Sequence, residues 1–262
     1  MSALTKLKED PELHKYLVQR VGKTHLRQRI GIETEHVADK FGQGRHFFHI
    51  ENWRTAASVI TWILKLTGLS ERGEANVLDF QVRTNEIVLP LLPDAFAGFT
   101  VLHLSDLHLD SLDRFPDHLA AAIEDLEYDL CVLTGDYLFD THGPHQKALD
   151  GLQRVCRAID RDIYAVLGNH DSIFMAKPIE SMGIRLLLNE HVCIDREGAT
   201  LYLAGIDDPH YFSADNLEKA YDGIPDESTS LLLAHSPEIY RHAAYVGFDF
   251  MMCGHTHAGQ IC

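Results

Sequence analysis

From Phe99 onward the chain repeats one pattern: a short apolar run, a polar or glycine-bearing turn, then an amphipathic helix. Apolar runs at Thr100–Leu104, Asp129–Leu133, Ile163–Leu167, Ser230–Ala234 and Phe248–Cys253 read as buried strands. Shorter strand-like runs at Arg185–Leu188, Val192–Ile194 and Thr200–Ala204 suggest a meander between them. Helical spacing of apolar residues marks Asp117–Leu126 and Gln146–Ile159, and shorter helices are expected at Pro178–Met182 and Asn216–Tyr221. Strands alternating with helices imply βαβ units and a largely parallel buried sheet. Ahead of this repeat, Pro11–Arg20 reads as a charged helix. Trp53–Leu69 places Ala56, Val59, Ile60, Ile63 and Leu66 on one helical face. Glu71–Asn76 is a polar break and a plausible boundary, Val77–Leu89 has strand character, and Pro90–Pro93 turns the chain into the repeating region.

The strands end in chemistry. Ser105-Asp106-Leu107-His108 follows the first, Thr134-Gly135-Asp136 the second and Gly168-Asn169-His170-Asp171 the third. His235-Ser236-Pro237-Glu238 and Gly254-His255-Thr256-His257 close the last two. In parallel sheets ligands gather at the carboxyl ends of strands, so all five clusters share one address. One Asp or His after a strand is ordinary turn or cap chemistry. Three Asp, one Asn and five His converging there are not, because bare carboxylates would repel one another. Divalent cations remove that repulsion, and mixed imidazole, carboxylate and amide oxygen donors suit Mn, Fe, Zn or Co better than Ca or Mg.

Composition narrows the partners. The 262 residues carry 39 acidic and 23 basic side chains, a formal charge of −16, which argues against a phosphate-backbone grip on nucleic acid. A phosphorylated small substrate remains compatible, since bound cations supply positive charge locally. Five cysteines without a pairing pattern, two of them (Cys131 and Cys253) inside apolar runs, read as reduced thiols. No stretch reaches the roughly 18 uncharged apolar residues of a spanning helix, and the first residues lack the apolar core of a signal peptide. A soluble, cytoplasmic chain is expected. Among the 17 histidines, His46 and His49 read as ordinary partly exposed residues, with a ligand pair as the alternative. His103 reads as a hydrogen-bonded strand residue. His142 and His145 are either substrate contacts or an exposed loop pair. Asp207, Asp208 and His210 read as turn chemistry, with a place in the cleft as the alternative.

Asp-X-His at 106–108, Gly-Asp at 135–136, Gly-Asn-His-Asp at 168–171, His235 and Gly-His-Thr-His at 254–257 resemble the signature of the calcineurin-like metallophosphoesterases. The resemblance runs from about Phe99 to the C-terminus. It implies an α/β fold, a β-sandwich flanked by helices (α/β/β/α); with the polar break at Glu71–Asn76 as boundary, residues 77–262 are expected as the catalytic domain, short of the family's C-terminal edge, and 1–76 as a small, mainly helical extension. It also implies two divalent metals bridged by Asp136. Asp106, His108 and His257 would complete one site, and Asn169, His235 and His255 the other. A metal-bridging hydroxide would attack phosphorus in line. His170 would stabilise the transition state or protonate the leaving oxygen, and Asp171 would orient or polarise His170.

The stretch Leu89–Phe99 and the endings Ser-Asp-Leu-His-Leu, His-Ser-Pro-Glu and Gly-His-Thr-His-Ala-Gly-Gln resemble a bacterial branch of membrane-associated phosphoesterases. That branch includes UDP-diacylglucosamine pyrophosphatases, so a lipid-linked substrate and peripheral contact with the inner face of the membrane are further expectations. Trp53–Leu69 would supply the apolar face for such contact, or else dock on the catalytic domain. Two departures stand against the resemblance. The family usually continues with further strands beyond the last motif, and the branch usually carries a spanning helix near its N-terminus. The leading function is a dinuclear metal-dependent phosphoester hydrolase. The alternatives are a lipid-linked pyrophosphatase and a non-catalytic metal-binding protein of the same fold.

Overall fold

The computed structural model describes residues 7–40, 66–141 and 143–257, with residues 35–40 described by backbone alone. Its centre is a pair of four-stranded sheets. β1 (Val101–Leu104), β2 (Leu130–Leu133), β3 (Ile163–Ala165) and β4 (Arg185–Leu186) pair in chain order and all in parallel. β5 (Glu190–Arg196), β6 (Ala199–Gly205), β7 (Ser230–Leu233) and β8 (Phe250–Met252) form the second sheet. Here β5 and β6 are antiparallel while β6–β7 and β7–β8 are parallel. The β5–β6 hairpin closes through Glu197 and Gly198, both at positive φ (54° and 84°), as the tight turns that match strand twist require.

The single sheet suggested by the apolar runs is therefore two. Alternation within the strands shows why. Cys131 and Leu133 of β2 enter the core on the outer face of the first sheet, while Leu130 and Val132 enter the core between the sheets. Leu231 and Leu233 of β7 face that same middle core, and Leu232 faces the outer core of the second sheet. A strand buried on both faces has no polar side to announce which neighbour it packs on.

The helices cover the two outer faces, which gives the α/β/β/α layering. In the N-terminal region α1 (Pro11–Val21) and α2 (Lys23–Lys40) precede α3 (Leu69–Leu78). α4 (Phe115–Ile123), α5 (Gln146–Cys156) and α6 (Ala176–Ser181) link the strands of the first sheet. α7 (Leu217–Tyr221) and α8 (Tyr240–Val246) pack their apolar residues on the second. Leu17 and Val21 of α1 and Leu26 and Ile30 of α2 join the same core as Leu152 of α5 and Ile179 of α6. Tyr16 and Arg20 reach Glu180, and Arg20 also reaches Glu190, so α1 is tied to the sheet by ion pairs as well as apolar contact.

Two N-terminal expectations change. The polar stretch 71–76 lies inside α3 rather than breaking the chain, since Glu71, Arg72, Glu74 and Ala75 are good helix formers and one glycine is tolerated. Val77–Leu89 forms no strand: Val77 and Leu78 end α3, and 79–89 run without regular structure. Val82 and Val88 are 58% and 83% exposed, so apolar composition there reflects surface rather than core. His46, His49 and most of Trp53–Leu69 lie outside the described residues.

Candidate metal centre

Each candidate ligand sits on the loop after a strand, and the loops are stitched together where the strands stop. Asp106 N–H donates to the Gly135 carbonyl (3.1 Å), His108 N–H to that of Asp136 (3.0 Å) and Gly254 N–H to that of His235 (2.9 Å). Asp106, His108, Asp136, His255 and His257 all adopt positive φ, between 41° and 69°. Non-glycine residues rarely do so, and strain of this kind persists where the surroundings over-determine it. Glycines make room for the turns. A Cβ on Gly168 would lie 2.2 Å from Asp136 Oδ1, and one on Gly254 would lie 1.8 Å from Ser105 Oγ and 2.4 Å from Asp106 Oδ2.

Three donor sets result, each with its ligand atoms within 4.8 Å of one another: Asp106, His108 and His257; His108, Asp136 and His170; and Asp136, His235 and His255. Asn169 joins the last, because His235 Nε2 and His255 Nδ1 both lie 2.9 Å from its Oδ1. His235 Nε2 is also 3.2 Å from Asp136 Oδ2, and His257 Nε2 is 3.4 Å from Asp106 Oδ1. The loops thus bring together all seven residues expected as ligands, with His170 beside them.

The surroundings fix which nitrogen faces inward. His108 Nδ1–H donates to the Leu138 carbonyl (2.7 Å), His170 Nδ1–H to that of Phe139 (2.5 Å) and His235 Nδ1–H to that of Thr134 (2.7 Å). A carbonyl behind the ring is the usual way to hold an imidazole in its ligating tautomer. For His235 this leaves a lone pair at Nε2 facing two oxygens, Asp136 Oδ2 and Asn169 Oδ1. Acceptors set against acceptors need a cation or a proton between them. His235 is accordingly pushed up to about 9: burial alone would lower it, and the adjacent Asp136 carboxylate overrides that. Burial disfavours charge on Asp136 too, yet His235 holds it below the ordinary aspartate value. His108 and His255 are both lowered, chiefly by burial, which keeps their lone pairs free. This donor set fits a pair of divalent cations.

Asp171 does something other than orient His170. Its carboxylate accepts the backbone N–H groups of Gly168 (2.9 Å), Asp136 (2.8 Å), Tyr137 (2.9 Å) and Leu138 (3.2 Å). It binds the second and third strand-end loops to each other, and the Phe139 carbonyl is what orients His170. A short carboxylate in a loop of free N–H groups satisfies them before it reaches a neighbouring ring. Fully buried, Asp171 is pushed up to about 6, by desolvation first and by the charge of Asp136 second.

The remaining polar residues sort cleanly. Asp208 accepts N–H bonds from His210, Tyr211 and Phe212, which is turn chemistry. The His210 ring lies 4.6 Å from that of His255, with Nδ1 held by Glu238 at 2.8 Å, so this histidine does border the cluster. Asp207 turns away to His25 (2.7 Å). His103 bonds Thr134 Oγ1 (2.8 Å), His145 stands at the start of α5, and His142 lies outside the described residues. Sequence reasoning missed Phe139, whose carbonyl sets His170 and whose ring meets His108 edge-on at 5.6 Å. It also missed Arg29 and Glu33 of α2, which reach the Asp171 loop. Their four-residue spacing on one helix face was the only available signal.

Strand-end loops of this kind, on two packed sheets, define a metallophosphoesterase. The profile of the calcineurin-like phosphoesterase family matches residues 99–259, and the chain belongs to that family. By class it is a metal-dependent phosphoester hydrolase. It is similar to the uncharacterized metallophosphoesterase YkoQ of Bacillus subtilis (strain 168), 31% identical over 199 residues that make up 72% of each chain. Phosphodiesterase YaeI of Escherichia coli (strain K12) is 30% identical over 184 residues, 66% of each chain. A transmembrane protein with metallophosphoesterase domain from Danio rerio is 29% identical over 226 residues, 78% of this chain and 50% of that relative's length. Among the described residues, no helix is long and apolar enough to cross a membrane.

Proposed function

We propose that the chain hydrolyses phosphodiesters at a dinuclear centre in which Asp136 serves both cations. The supporting observation is that Asp136 shares one donor set with His235 and His255 and another with His108, and His108 is itself in the set with Asp106 and His257. Asp106, His108 and His257 would hold one cation with Asp136, and Asn169, His235 and His255 the other. When bound, the two cations would neutralise phosphoryl oxygens and lower the pKa of a coordinated water towards neutrality. The mixed donors favour Mn, Fe, Zn or Co.

The protein's own contribution to hydrolysis is position and protons. His170 Nδ1 is committed to Phe139, so Nε2 faces the cluster, 3.9 Å from Asp136 Oδ2. A proton held at Nε2 would pass to the leaving oxygen during in-line displacement at phosphorus. A phosphodiester is favoured because YaeI, a relative at 30% identity, is named a phosphodiesterase. The finer reading of a lipid-linked substrate draws on exposed Val82, Ile87, Val88 and Leu91, an apolar surface on the segment leading into the catalytic region.

The test is cation content of the purified chain together with turnover of chromogenic diester and monoester substrates. The proposal expects two cations per chain and faster diester hydrolysis. A chain that binds two cations but turns over only the monoester would refute the substrate class, and one that binds none would refute the centre. Sedimentation with anionic vesicles that Val82→Asp and Val88→Asp abolish would support the lipid-linked reading, and no sedimentation would remove its basis.

A further inference from the structure

Helix α2 lies outside the stretch matched to the family, yet it reaches the loop that carries Asn169 and His170. Arg29 is fully buried. Its Nη2 donates to the Asp171 backbone carbonyl at 2.7 Å, and its guanidinium stacks 3.3 Å over the Phe212 ring. Its Nε lies 3.5 Å from Asp207 Oδ2 and 3.6 Å from Glu33 Oε1, beyond a strong hydrogen bond but well within ionic reach. One turn further along, Glu33 accepts from Ser172 Oγ (2.8 Å) and from the Ile173 N–H (2.9 Å). One turn earlier, His25 Nε2 binds Asp207 at 2.7 Å. Three successive turns of one helix therefore grip residues 171–173 and the loop beginning at Asp207.

What those loops hold matters. The Asp171 carboxylate collects the N–H groups of Gly168, Asp136, Tyr137 and Leu138. The Asp208 carboxylate collects those of His210, Tyr211 and Phe212, which places His210 against His255. A displacement of Asp171 would shift Asp136 and Asn169 together. A buried guanidinium is costly to desolvate, and a plain apolar side chain would fill the same space without that cost. Its placement on a backbone carbonyl beside the cluster gives the expense a reason.

We infer that Arg29 is a positioning residue for the metal centre, setting the Asp136 and Asn169 loops through the Asp171 backbone, so that the catalytic unit includes α2. The inference rests on the proposed dinuclear centre. Groups that orient metal ligands from behind typically change cation affinity by about 10- to 100-fold when removed.

The test uses the full chain, stripped of cations and titrated with Mn(II) alone by calorimetry, well below every variant's unfolding temperature. Arg29→Met is compared with the wild type and with Leu17→Ala, a core truncation in the neighbouring helix α1 that removes no polar contact. Arg29→Met is expected to weaken at least one Mn(II) site about 10- to 100-fold, while Leu17→Ala loses thermal stability and keeps its affinity. Unchanged affinity in Arg29→Met, or an equal loss in Leu17→Ala, would overturn the inference while leaving the metal centre standing. A wild type that binds no Mn(II) would instead overturn the centre and this inference with it. Should Arg29→Met fail to fold through its unpaired carboxylates, the Arg29→Met/Asp207→Asn variant, which removes one positive and one negative charge, is read in its place by the same criteria.

Discussion

Asp136 and His235 lie at the floor of the cluster, 2% and 0% exposed, whereas the His257 side chain 3.4 Å from Asp106 keeps 38% of its surface open. In the proposed centre the two cation sites would share the Asp136 carboxylate but differ in depth. The deep one, with Asn169, His235 and His255, has its Asp136 carboxylate tied by the His170 N–H and its His235 ring backed by the Thr134 carbonyl. The shallow one closes through His257, near the rim. A ligand set held by buried hydrogen bonds pays little entropy when a cation arrives, and one that includes an exposed side chain pays more. The deep site should therefore bind more tightly, and the shallow one should exchange.

The largest effect should come from Asp136→Asn, which takes a carboxylate from both sites at once. Loss of both cations and of detectable turnover is expected in metal analysis and assay. Retention of either cation at wild-type affinity would separate the two sites. His170→Ala should come next, keeping both cations while lowering turnover by roughly 10²–10⁴-fold, the usual range for acid–base assistance. That loss should shrink for a diester with an acidic leaving group. His257→Ala sharpens the contrast in depth: the shallow cation should be lost and the deep one kept, so dialysed protein should hold one cation per chain. Loss of both would make the sites one unit. The smallest effect belongs to Val88→Asp, at an 83% exposed position. Stability should move by no more than about 0.5 kcal/mol, and cation content should not change.

How far these sites were legible in the sequence follows the same division between near and far. Asp106, Asp136, Asn169 and His255 each stand within a few residues of a strand's end, so apolar runs alone were enough to gather them. The helical cover over the first sheet was equally local, because Leu149, Leu152, Cys156 and Ile159 stand at helical spacing, and Leu149 and Leu152 of α5 are buried there. The two-sheet arrangement was not visible in periodicity, since β2 and β7 are buried on both faces, and only the family resemblance supplied it. Val77–Leu89 misled because an apolar run has strand character whether or not a partner strand is there to pair it. Asp171 misled because adjacency to His170 in sequence says nothing about where a carboxylate turns when four N–H groups lie on its other side. Arg29 was beyond reach for a different reason. It lies 142 residues from Asp171 along the chain, in a helix whose polar residues look like solvent-facing ones.

The central claim is that Asp136 joins two cations into one centre. The most direct measurement is electron paramagnetic resonance of the cation-stripped chain titrated with Mn(II). The account predicts two ions per chain and, once both are bound, an exchange-coupled signal in place of the six-line spectrum of isolated Mn(II), with no coupled signal in His257→Ala. A wild-type chain that saturates at one Mn(II), or that binds two and shows only the isolated-ion spectrum, would contradict it.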